Sequence, residues 1–442
     1  MQSTRYGFKE TELGSIPEEW EVKPLRSLTI KTEMANPTAK PEESFEYIDV
    51  SSVSNELFRI IGSTTIKGVE APSRARKEVH TSDVLFATVR PTLKRVALVP
   101  SHLHGQVAST AFCVVRANRT VADPAFLYYS LLTADFIAKL AELERGVSYP
   151  AVTDNNVFDQ RIAVPPLYDQ RAIAWVLGRI QVAVEAQEKI IATLRQLKQA
   201  VMAKLFREGL RHHSDRVEHP IFGFVPNSWT TCTLGILCGQ GEGTIQTGPF
   251  GSQLHASDYK ESGIPVVNPT HIADNRIIHK DLPRISKKDY QRLSRHILRQ
   301  GDILFARRGE IGRHALVTEQ ENEWLCGTGC FLVRIQNPDV DNAFLSLFLY
   351  YKPCQLWLES HAAGSIMPNL NTTILNAIPI VLPTIDEQHE IAHILRTIDD
   401  KLTNAEKKRD ALQALFKTML HQLMTGQIRV SHLEVGNNDQ LR

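Results

Sequence analysis

Residues 169 to 207 read D-Q-R-A-I-A-W-V-L-G-R-I-Q-V-A-V-E-A-Q-E-K-I-I-A-T-L-R-Q-L-K-Q-A-V-M-A-K-L-F-R. Apolar side chains return at steps of four and three through Ile173, Leu177, Ile180, Val184, Ile191, Leu194, Val201 and Leu205. This is the seam of a heptad helix. At roughly 1.5 Å per residue the helix is a rod of about 55 Å. A second copy begins 218 residues later and runs from Glu387 to Thr425. Its seam is Ile391, Leu395, Ile398, Leu402, Leu412, Met419 and Leu423, interrupted by Arg409 where the first copy has Ile191. Two matched seams predict a mutual, antiparallel coiled coil. Both helices are punctuated alike: Pro165-Pro166 and Pro383 stand before them, Asp169 and Glu387 fall in their first turns, and Gly209 and Gly426 follow their ends.

The repeat extends beyond the helices. Gly14, Pro17, Trp20 and Leu25 return as Gly223, Pro226, Trp229 and Leu234. D-V-L-F-A at 83–87 returns as D-I-L-F-A at 302–306, and R-V-A-L-V at 95–99 as R-H-A-L-V at 313–317. S-T-A-F-C-V-V-R at 109–116 matches G-T-G-C-F-L-V-R at 327–334, and G-V-S-Y-P at 146–150 matches G-S-I-M-P at 364–368. The order is the same in both halves, so the chain is an internal duplication whose unit is a domain plus a helix. Each globular part has short β-rich runs followed by a helical stretch, 124–143 in the first, which predicts a mixed α+β domain. The expected division is a globular domain at 1–165, a helix at 166–208, a polar linker at 209–220, a second globular domain at 221–383, a helix at 384–428 and a polar tail at 429–442. With antiparallel helices the result is a pseudo-twofold monomer with two like-built heads. The bland alternative is an assembly scaffold whose helices oligomerise and whose heads bind protein.

Composition bounds the function. The chain has 442 residues, 43% apolar and 22% charged, and a net charge of only +1. That is an ordinary globular balance, with no bulk excess of positive charge to announce a nucleic-acid partner. No apolar run is long enough to cross a bilayer, and a cytoplasmic location is expected. The six cysteines include no C-x-x-C pair, so neither a zinc knuckle nor a disulfide framework is indicated.

Positive charge is concentrated locally and at equivalent places. Arg74, Arg76 and Lys77 precede the D-V-L-F-A block, and Arg90, Lys94 and Arg95 fill the hairpin turn after it. In the second half Lys287, Lys288, Arg292, Arg295 and Arg299 precede D-I-L-F-A, and Arg307, Arg308 and Arg313 follow it. Arginine forks to guanine or binds phosphate, and Asn or Gln addresses adenine, so these residues are candidates for DNA contact. Ser51, Ser52, Ser148 and Tyr149 in the first half, and Ser252, Gln253, Asn268, Thr270 and His271 in the second, are candidate base readers. Each of these polar residues also has a turn or cap role open to it.

Taken together, G-x-I-P-x-x-W, the duplicated D-[VI]-L-F-A block, G-P-F-G-S-Q-L at 248–254, G-I-P-V-V-N-P-T-H-I at 263–272 and the acidic-Gln helix starts at 169–170 and 387–388 resemble the specificity subunit of type I restriction-modification systems. The resemblance covers nearly the whole chain. It implies two target-recognition domains, each reading half of a split double-stranded DNA sequence, and helices that set the spacer and dock two modification subunits. Restriction or translocase subunits would join that core, in defence against foreign DNA. S-adenosylmethionine, ATP and magnesium would belong to the partner subunits, and this chain would be no enzyme. Its own residues agree. There is no G-x-x-x-x-G-K-[ST] loop, and Asn268-Pro269-Thr270 and Asn337-Pro338-Asp339 lack the second proline and aromatic of an adenine methyltransferase's N-P-P-Y-like segment.

Overall fold

The computed structural model describes residues 7–146, 150–211, 213–239, 243–362, 369–430 and 433. Two compact units emerge, one made of 1–190 with 405–442 and the other of 191–404. The first long helix is Leu167–Glu208 and the second is Ile385–Met424, so each begins in one unit and ends in the other. No helix among the described residues is long and apolar enough to cross a membrane.

The D-[VI]-L-F-A blocks explain how each unit is layered. Successive side chains of a strand point to opposite faces. Val84 and Phe86 pack among the helices Pro124–Leu132 and Ala134–Ala141, while Leu85 and Ala87 face a separate cluster built on Ile48, Val79 and Ala108. Ile303 and Phe305 likewise face the helix Asn342–Leu349, and Leu304 and Ala306 face Val267, Ile272 and Leu298. A strand covered on both faces has no solvent side, so its sequence is apolar throughout instead of alternating.

In the first unit Val84–Ala87 lies between Phe112–Ala117 and Val96–Leu98, all antiparallel, and Thr29–Ile30 closes that sheet. The second unit repeats it with Ile303–Ala306 between Cys330–Arg334 and His314–Leu316, closed by Thr244–Thr247. The other four-stranded sheet of each unit includes a parallel pair, Ser44–Ile48 with Gln106–Ser109 and Ile264–Val267 with Leu325–Cys326. Asp83 and Arg116, at the ends of neighbouring strands, form a two-pronged ion pair at 2.9 Å and 2.9 Å, and Asp302 and Arg334 repeat it at 2.8 Å and 2.6 Å. The Asp and Arg shared by the two halves' motifs are therefore a buried structural pair.

The expected helix 124–143 breaks at Thr133. That residue is extended, and its hydroxyl accepts from Phe136 N–H to start a new helix. The expected linker 209–220 is not free of structure either: Arg216–His219 forms a hairpin with Gly223–Pro226, the counterpart of Phe8–Thr11 with Gly14–Pro17.

In each unit the start of one long helix lies in the same core as the end of the other, which makes the pair antiparallel. Ile173 and Leu177 share a cluster with Leu420 and Leu423, and Leu205 shares one with Ile391 and Leu395. Val184, Ile191, Ile398 and Leu402 are buried as well, while Ile180, Leu194, Val201, Leu412 and Met419 are half-buried. Met202, Phe206, Phe416 and Leu420, outside the heptad seam, are also buried. The apolar stripe is wider than a two-helix seam because each helix packs against a globular core as well as its partner. Arg409 is only half-buried. It binds Asp410 at 2.7 Å and Glu188 at 3.7 Å, whereas Glu185, one turn away on the first helix, is held by Arg59 at 3.1 Å.

The helix ends show why Gln and Gly stand there. The buried Gln170 side chain accepts from Asp123 N–H and donates to Val121 and Pro165 carbonyls. Gln388 does the same with Asp341 N–H and the carbonyls of Asp339 and Pro383. Each glutamine latches a long helix to the loop before it. Gly426 has φ +68°, and a Cβ there would overlap the Pro17 ring, so the chain turns off the helix only with glycine.

Candidate nucleic-acid interface

The candidate residues separate by what already holds them. Lys77 lies on a strand and binds Asp154 at 2.5 Å, with only 14% of its side chain exposed. Arg95 donates to the carbonyls of Val50 at 3.2 Å and Val53 at 2.5 Å, bracing the turn that carries Ser51 and Ser52. Arg76 is half-buried and donates to Ala75 O. Lys94 lines a cavity of about 320 Å³ with Lys139, Lys417 and His421, so it faces the long helix. Arg74 and Arg90 are exposed.

In the second unit Arg308 is exposed, and its backbone bridges to Asn369. Arg307 and Arg313 are half-buried, and Arg307 Nε donates to Asn369 Oδ1 at 3.3 Å. Lys287–Arg292 is a short helix capped by Ser286, followed by a single tight turn at Ser294–His296. Lys287, Lys288, Arg295 and Arg299 are exposed along it, while Arg292 is tied to Asp289 at 3.0 Å and to Gln253 O at 2.6 Å. Among these candidates the exposed cations are Arg74 and Arg90 in one unit, and Arg308, Lys287, Lys288, Arg295 and Arg299, besides the tied Arg292, in the other.

The polar candidates divide similarly. Thr270 and Gln253 are exposed. His271 is buried, and its Nδ1 accepts from Asn268 N–H at 3.1 Å as the closing member of a capping box. Burial lowers its pKa below the ordinary imidazole value, which suits an accepting, neutral ring. Ser52 holds the equivalent position, accepting from Asp49 N–H at 3.3 Å. Asn268 Oδ1 is buried without a hydrogen-bond partner. Ser148, Tyr149 and the Ser252 side chain lie outside the described residues.

Two residues in this region escaped the sequence reading. After each capping box the chain turns back, with Val53 bridged to Ile60 and Ile272 paired with Ile277. The residue just before the return is Arg59 in one turn and Arg276 in the other. Arg59 Nη1 lies 3.1 Å from Glu185, and Arg276 Nη1 donates to Thr403 Oγ1 at 2.6 Å. Residues 185 and 403 are the same position of the two long helices, 218 apart. The signal was present as R-I-I at 59–61 and again at 276–278.

Comparison with known proteins gives this arrangement a setting. The family described as Type I restriction modification DNA specificity domain matches residues 17–196 and 243–414, once in each half. The putative type I restriction enzyme MjaX specificity subunit of Methanocaldococcus jannaschii is 24% identical over 446 residues, covering 96% of this chain and 97% of its own length. The type I restriction enzyme EcoBI specificity subunit of Escherichia coli is 24% identical over 309 residues, 67% of this chain and 63% of that protein. A solved structure described as a basis for complex assembly and conformational transition of the type I R-M system is similar, with TM-score 0.56 and 27% identity over 93% of this chain and 99% of that one. The type I restriction-modification S subunit from M. genitalium, with TM-score 0.58 and 16% identity, covers 91% of this chain and 96% of its own and shares the fold.

Proposed function

Because this chain belongs to the type I restriction modification DNA specificity family, we propose that each globular part reads one half of a bipartite double-stranded DNA target. The observation that carries this is the repetition of one α+β unit with an exposed arginine in the turn after each central strand, Arg90 and Arg308, at neighbouring and not identical positions. Exposed arginines of this kind hold phosphates or fork to guanine, and the capped turn of each unit presents an exposed residue, Ser51 and Thr270.

A specificity subunit recognises DNA and leaves the chemistry to other subunits. In this reading two modification subunits dock on the long helices and supply S-adenosylmethionine and adenine methylation. Restriction subunits bring ATP and magnesium, and the length of the helices sets the spacer between half-sites. The complex acts in the cytoplasm, on incoming DNA. The recognition parts are proposed at 1–165 and 221–383, with helices at 166–208 and 384–428.

The test is methylome sequencing of cells expressing the chain with and without a candidate modification subunit. A new N6-methyladenine mark at one bipartite motif, lost when this chain is removed, is the expected result. A stable complex that marks no motif refutes the reading and favours a scaffold.

A further inference from the structure

The turns at 54–59 and 273–276 are held by a pattern too regular to be incidental. In the first unit Gln181 Nε2 donates to Leu57 O at 3.1 Å, Tyr128 OH donates to Phe58 O at 2.7 Å, and Arg59 meets Glu185 at 3.1 Å. Phe58 itself is left-handed, with φ +51°, a conformation that bulky L residues rarely adopt. A cavity of about 490 Å³, lined by Asn55, Phe58, Gln181 and Glu185 among others, opens beside the turn, so close packing alone does not hold it. Phe58 stacks on Phe416 at 6.3 Å, and polar fastening to the helix adds to that contact.

The second unit achieves the same end with different atoms. Asn275 takes the left-handed place of Phe58, with φ +59°, and its Oδ1 accepts from Ser346 Oγ at 2.9 Å. Ser346 stands 218 residues after Tyr128. Thr403 donates its hydroxyl to Asp399 O at 2.9 Å, which leaves its lone pairs for Arg276. Chemistry changed between the halves, from a carboxylate to a hydroxyl and from a tyrosine to a serine, yet these two anchoring positions did not; the counterpart of Gln181 is Asp399, which binds Lys198 and Thr403 instead.

Resting on the function proposed above, we infer that Arg59 with Glu185, and Arg276 with Thr403, are positioning residues for DNA recognition. Each fastens the turn that follows a capped reading loop to the long helix within its own unit. Loosening a fastener lets the loop carrying Ser51 and Ser52, or Thr270 and His271, shift against the helix. A shifted loop reads its half-site at a less defined distance from the helix. The first fastener is an ion pair and the second a charge-assisted hydrogen bond to a hydroxyl.

The test uses the full chain in complex with its modification subunits. The probes are duplexes bearing the motif that the wild-type complex methylates, with the native spacer or one base pair more or less. Thr403→Val and Arg59→Gln are expected to weaken binding to the native spacer about tenfold and to the altered spacers less than threefold. Their salt dependence is expected to stay unchanged, since the inference assigns both side chains partners within the protein. Thr403→Glu, which gives the second helix the acid present in the first, widens the discrimination. Equal losses on all three duplexes, or none, overturn the inference. Hydrogen exchange of the lone chain separates the causes: amides of 54–59 and 273–276 must exchange faster in Arg59→Gln and Thr403→Val respectively. Unchanged exchange removes the fastening itself. Faster exchange in a chain whose wild-type complex marks no motif removes the DNA reading, and the inference with it.

Discussion

Replacing Gln388 by alanine tests whether the glutamine at each long helix's start is a latch or a filler. The side chain is 1% exposed and makes three hydrogen bonds, to Asp341 N at 2.9 Å, Asp339 O at 3.0 Å and Pro383 O at 2.9 Å. Alanine leaves a buried N–H without a partner, about 1–3 kcal/mol, and removes two bonds each contributing about 1 kcal/mol. The expected loss is about 3 kcal/mol, equivalent to a roughly hundredfold larger opening constant for the first turn of Ile385–Met424. Native-state hydrogen exchange at that turn reads this directly and does not assume two-state unfolding of a two-unit chain. Gln388→Glu is the sharper variant. It keeps the acceptor for Asp341 N–H but faces the two carbonyls with a carboxylate, so at pH 7 it is at least as damaging as alanine. Its carboxyl pKa is raised in the fold, so the lost stability returns as pH falls and the acid regains a proton to donate. A Gln388→Glu chain matching wild type at pH 7, or insensitive to pH, refutes the latch. Gln170→Ala and Gln170→Glu are expected to repeat the pattern at the start of Leu167–Glu208 only.

Further tests address charge and pH. Arg90→Ala and Arg308→Ala are each expected to lower the slope of log affinity against log salt by about one for every phosphate the arginine neutralises, with little change in stability; Lys77→Ala, which strands Asp154, does the reverse. A common effect of all three on the slope refutes that sorting. Arg334→Met leaves the Asp302 carboxyl, 3% exposed, without its partner and should cost about 3–5 kcal/mol in a denaturant titration of the second unit. His219, His271, His296 and His314 all have pKa values lowered by burial, although carbonyls of Gly312 and Ser346 partly oppose the shift at His314. The unfolded chain therefore binds more protons. Stability contributed by these neutral rings is complete above about pH 6.5 and is lost as pH falls below it, mainly in the second unit. A second-unit melting temperature that stays flat from pH 7.5 to 5.5 contradicts this assignment.

The duplication, the two long helices and the paired seams were legible in the sequence, because heptad spacing and repeated order are one-dimensional facts. Repetition of the short β-rich blocks also placed the hairpins, since D-V-L-F-A and R-V-A-L-V pair as Val84–Ala87 with Val96–Leu98. The fate of the charged candidates was not legible. Lys77, Arg90 and Arg95 look alike in a basic run, yet one meets Asp154, one is exposed and one braces Val50 and Val53. Which of these happens depends on residues 50–154, brought together only by strand pairing. The break at Thr133 and the strand at Arg216–His219 were missed for the related reason that a cap or a hairpin partner outweighs local propensity. Arg59 and Arg276 were hidden most fully. Each is an ordinary arginine in a turn until folding carries it to the long helix, 126 residues on to Glu185 in one unit and 127 on to Thr403 in the other. The sequence alone determined that there are two like units and two pairing helices. Only tertiary structure decided which cations face outward and which hold the reading turns, because side-chain partners across such separations are set by packing, which leaves no period in the chain.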